Sequence, residues 1–94
     1  MWNLIGIDED GERHRCRTCR TKEEAEKYLQ EARPSLERMK KPYEKELSRA
    51  YMEYLQIKEM PDDDKPLYYD YMGWKMQGFF IKEFVLEQEE VLSN

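Results

Sequence analysis

A chain of 94 residues that is 39% hydrophobic, 39% charged and 13% aromatic, with four Gly and four Pro, is too aromatic for a disordered tail and too poor in Pro and Gly for a low-complexity one. Chains divide into several hydrophobic cores only beyond about 250 residues, so residues 1–94 read as a single small domain. Sixteen Lys and Arg against 21 Asp and Glu leave a net charge of -5, which argues against broad electrostatic attraction to nucleic acid but leaves room for a local basic patch.

The apolar run Trp2-Asn3-Leu4-Ile5-Gly6-Ile7 meets Asp8 too early to serve as a signal peptide, and no run approaches the roughly 18 apolar residues of a membrane span, so a cytoplasmic location is expected. Asp10-Gly11 favours a hairpin turn, because both residues tolerate positive φ. The flanking Trp2–Ile7 and Arg13–Thr18 pieces have strand length, which predicts an N-terminal β-hairpin. Residues two apart in a strand share a face, so Arg13, Arg15 and Arg17 are expected on one side and His14, Cys16 and Thr18 on the other.

Thr21 and Glu24 form a capping box that opens a helix, with Ala25, Tyr28, Leu29 and Ala32 as its apolar stripe. Pro34 disfavours a helical Arg33 and marks the expected end. From Leu36 to Ile57 apolar residues recur every three or four positions, a second helix that Pro42 either kinks or restarts. Met60–Pro66 reads as a polar connection, after which Pro66 sits in the first turn of a further helix carrying Leu67 to Met72.

Two readings compete for the last third. In the first, a short helix from Tyr68 to Met72 ends at Gly73, and Phe79–Glu87 is an aromatic and β-branched strand. In the second, Leu67, Tyr71, Trp74, Gly78, Ile81, Val85, Gln88 and Leu92 line one long helix. The strand is preferred: it sets Glu83 and Glu87 against the arginine face and turns a marginal hairpin into a three-stranded antiparallel sheet. The expected class is α+β, a hairpin followed by two or three helices and a third strand.

Cys16 and Cys19 make a C-x-x-C beside His14, and the surrounding arginines are expected to lower a thiol pKa. With two Cys and one His, a structural zinc site falls one ligand short, so no metal or cofactor is expected. Asp62, Asp63, Asp64 and Asp70 lack the alternation and the glycine of a calcium loop and read as a solvated linker. No phosphate-binding, zinc-protease or serine-hydrolase motif is present, which predicts a protein without catalytic activity.

Seven of the twelve aromatic residues fall between Tyr68 and Phe84, more than one small core is expected to absorb. Tyr68, Tyr69 and Tyr71, with Met72 and Met76, have the composition of binding-surface centres. The expected function is a non-enzymatic module that acts by occupying a partner protein, with a homodimer also compatible. Small phage and mobile-element accessory proteins, including inhibitors of host defence systems, share this general character, a likeness of genre that carries no motif. The alternatives are a zinc- or thiol-dependent regulator built on the C-x-x-C, and a nucleic-acid contact through the arginine strand.

Overall fold

The computed structural model describes residues 1–89. Strands β1 (Trp2–Asp8) and β2 (Arg13–Cys19) form the hairpin, and Gly11 takes φ 82° in its loop. Helix α1 (Lys22–Lys40), a 3-10 turn (Lys41–Tyr43) and helix α2 (Glu44–Lys58) follow. A second 3-10 turn (Asp62–Asp64), helix α3 (Asp70–Met76) and strand β3 (Ile81–Gln88) complete the described chain. The antiparallel sheet has the order β2-β1-β3, so the third-strand reading holds. The long-helix alternative fails over Ile81–Gln88, and Leu92 lies outside the described residues.

Helix α1 starts where the capping box predicts, with the Glu24 amide donating to Thr21 Oγ1 at 3.2 Å. It does not end at Pro34. The proline removes one intrahelical hydrogen bond, at a cost of about 3 kcal/mol. Tertiary anchors on either side hold the helix through it: Leu36 is buried, and the Arg33 guanidinium donates to the carbonyls of Ile81 and Lys82. At Pro42 the chain restarts instead, with the proline in the first turn of the 3-10 segment.

The helix expected from Leu67 to Met72 is shifted. Leu67 is 99% exposed in the connection, Tyr69 is extended (φ -150°), and α3 begins at Asp70. Gly73 lies inside α3 and does not end it; Gly78, at φ 85°, does. The Gly78 amide donates to the Lys75 carbonyl at 2.9 Å and the Phe79 amide to the Trp74 carbonyl at 3.1 Å. This is the Schellman closure, whose left-handed residue is glycine because it has no Cβ to clash.

A bulge corrects the face assignment on β2. Leu4 pairs with Arg17 and its neighbour Ile5 with Arg15, so Cys16 is the extra residue and Arg15 and Arg17 face opposite sides of the sheet. On the helix-covered side Arg17 stacks over Tyr28 of α1, 3.7 Å from the ring centroid. On the other side Arg13 pairs with Glu87 of β3, across buried Ile5.

The core has two parts. Leu4 and Ile81 lie on the side of the sheet that α1 covers, and Ala25 and Leu36 are the buried residues of that helix. Beside this, α2 and α3 enclose Leu47, Ala50, Tyr54, Tyr71, Phe79 and Phe80. The Tyr54 and Tyr71 rings stack with centroids 3.8 Å apart, and Trp74 meets Tyr43 and Phe79 at 5.3 and 5.1 Å.

Candidate functional site

Two features stand out, one polar and one apolar. The polar one sits where the hairpin loop meets the aromatic core. Asp8, at the end of β1, is fully buried; its Oδ1 accepts from the Asp10 and Glu12 amides, both at 2.9 Å, and so holds the loop closed. Its Oδ2 accepts from His14 Nε2 at 2.8 Å. Asp10 accepts from the hydroxyls of Tyr54 and Tyr71, the latter at 3.1 Å. Lys75 reaches in from α3, its Nζ 3.0 Å from Asp10, 3.2 Å from Glu12 and 4.0 Å from Asp8.

Burial by itself raises the Asp8 carboxyl, but the His14 bond, the two loop amides and the Lys75 charge outweigh it and hold the group below its ordinary range. Asp10 follows the same pattern, lowered by Tyr54, Lys75 and Tyr71 against its own burial. Burial and the bond to Asp10 push the Tyr54 phenol up to about 12, and Tyr71 rises as well. Lys75 is raised, since its carboxylate partners outweigh desolvation. Asp8, Glu12 and His14 place ligand atoms within 4.8 Å of one another. The Lys75 ammonium already supplies the positive charge among these carboxylates, so the cluster works as an internally matched clamp between loop and helix.

The apolar feature is an open groove of about 590 Å3 between β2 and α1. Leu4, Leu36, Ile81 and Phe84 contribute its apolar lining, and Met39 and Met76, 54% and 79% exposed, stand beside them. Arg15, Arg17 and Glu31 also line the groove. No helix among the described residues is long and apolar enough to cross a membrane.

The residues singled out from the sequence are dispersed. Met76 lines the large groove. Tyr68, 65% exposed, lines two smaller grooves, with its hydroxyl against the backbone of Gly73. Tyr69 and Met72 are half-buried. Tyr71 is 1% exposed and is withdrawn from the candidate surface, because its ring is stacked on Tyr54 and its hydroxyl is spent on Asp10. Cys19 is buried, while Cys16 is exposed at the bulge; desolvation by its neighbours pushes the Cys16 thiol up, opposite to the lowering expected from the arginines.

The clamp is not legible in the sequence, where the residues between Ile7 and Arg13 read only as a hairpin turn. An Asp two residues before Asp-Gly hints at loop closure, but nothing local points to Lys75. Comparison of the chain with protein families, with curated proteins and with solved structures found no match.

Proposed function

We propose that this chain is a non-enzymatic protein-binding module that acts by occupying a partner at the groove between β2 and α1. The observation that carries the proposal is the exposure of Met39 and Met76 beside an apolar lining. Burying one such side chain contributes about 1.5 to 3 kcal/mol, and the flexible thioether adapts to varied partner surfaces. Arg17 and Glu31 supply the polar rim that surrounds the apolar centre of protein interfaces. The polar groups most suggestive of chemistry, Asp8, His14 and Lys75, are engaged with one another.

The test compares capture from a lysate of the source cells by the wild-type chain and by the Met39→Asp, Met76→Asp double variant. A partner recovered stoichiometrically by the wild type and lost by the variant, at an unchanged unfolding midpoint, supports the module. Equal recovery by both, or recovery by neither, overturns it.

A further inference from the structure

We propose that β2 accepts an extended acidic segment of a partner protein as a fourth strand, with apolar side chains of that segment filling the groove between β2 and α1. This rests on reading the chain as a protein-binding module and names how the partner is held.

The order β2-β1-β3 leaves two sheet edges among the described residues, and they differ. The β3 edge is closed at its start, where Arg33 of α1 donates to the carbonyls of Ile81 and Lys82. Among the described residues strand β2 pairs on one side only, with β1, and its seven residues offer an edge about 23 Å long. An edge with unpaired N–H and C=O groups is a template for strand addition.

The side chains of that edge choose the strand. Arg13, Arg15, Arg17 and Arg20 crowd one short stretch of a chain whose net charge is -5. Arg13 is engaged by Glu87 and Arg17 lies on Tyr28, while Arg15 and Arg20 are exposed and pair with no carboxylate among the described residues. Charged edge residues repel indiscriminate apolar strands, so they favour a strand that brings carboxylates. Because of the bulge at Cys16, Arg15 and Arg17 flank the edge on opposite faces, and an added strand meets a guanidinium on either side. On the helix-covered face, side chains of the added strand point toward the groove walled by Met39 and Met76. A nucleic-acid backbone fits this place less well. It gains nothing from the apolar side chains of Leu36 and Met39.

A displayed library of random twelve-residue peptides, selected against the full chain, tests the proposal. The expected result is enrichment of sequences that alternate apolar and acidic residues. The best synthetic peptide then slows amide exchange in residues 13–19. Its affinity falls at least tenfold with Arg15→Glu, Arg20→Glu, and binding is abolished when alternate peptide amides are N-methylated in the pairing register. Enrichment of basic or helically spaced sequences, protection elsewhere, indifference to the arginine changes, or no enrichment overturns it. So does salt-dependent binding of a single-stranded 20-nucleotide probe at the same residues, or self-association of the chain through β2. If Met39→Asp, Met76→Asp abolishes lysate capture while Arg15→Glu, Arg20→Glu leaves it intact, strand addition falls and the protein-binding reading stands; if the methionine variant still captures, that reading itself falls.

Discussion

The Lys75 ammonium lies 3.0 Å from Asp10 Oδ2, joining α3 to the loop of the N-terminal hairpin. The contact brings Tyr54 and Tyr71 into the same hydrogen-bonded group, since both hydroxyls donate to Asp10. Hairpin and aromatic core are thereby locked in one relative position, and the end of α3, with Met76, is carried to the groove.

Replacing Lys75 by Met removes the cation and leaves three carboxylates facing one another. The expected loss is about 1.5 to 3 kcal/mol, the range for hydrogen bonds to charged groups. Asp8→Asn should cost a similar amount, and the double variant less than the sum, because the two residues share one network. Urea unfolding of the four proteins measures this; strict additivity removes the network from the account.

Stability should form a plateau with two falling limbs. Asp8 and Asp10 sit below their ordinary 3.8, so their contribution is present above that value and disappears as pH falls through their lower folded values. Tyr54 is raised from 10.0 to about 12, so the unfolded chain ionises first and stability declines between these values as pH rises. Lys75, raised from 10.5, adds to the same limb as its charge is lost. Unfolding midpoints at pH 3, 7 and 11 should be highest at 7, and Tyr54→Phe should flatten the alkaline limb.

The tyrosines around α3 should divide by burial. Tyr71→Ala empties a site stacked between Tyr54 and Phe80 and should cost about 3 to 5 kcal/mol. Tyr68→Ala should stay within about 0.5 kcal/mol, as surface changes do. Thermal midpoints decide this, and equal losses at both positions refute the assignment of Tyr71 to the core and Tyr68 to the surface.

Thr21→Ala should destabilise the chain by about 0.5 to 2 kcal/mol, because the Glu24 amide loses its side-chain acceptor at the start of α1. Thr21→Ser should restore most of the difference. An unchanged midpoint for the alanine variant means that the exposed cap is replaced by water without cost.

The features legible in the sequence are those set within a few residues of backbone. The Asp10-Gly11 turn and the Thr21 cap follow from local dihedral preference and local hydrogen bonding, while local preference narrows Pro42 to a kink or a restart and the last third to a strand or a helix, and the fold takes the restart and the strand. Tertiary structure alone decided the rest. Pro34 stays helical because Leu36 and Arg33 are anchored on the other side of the fold. Arg17 changes face because β1 and β2 pair with one residue to spare. Tyr71 goes inward and Tyr68 outward because α3 starts at Asp70 against α2. Lys75 finds Asp8, Asp10 and Glu12 only after chain ends far apart in sequence have met. In each case the deciding free energy comes from contacts between distant segments, which local composition does not encode.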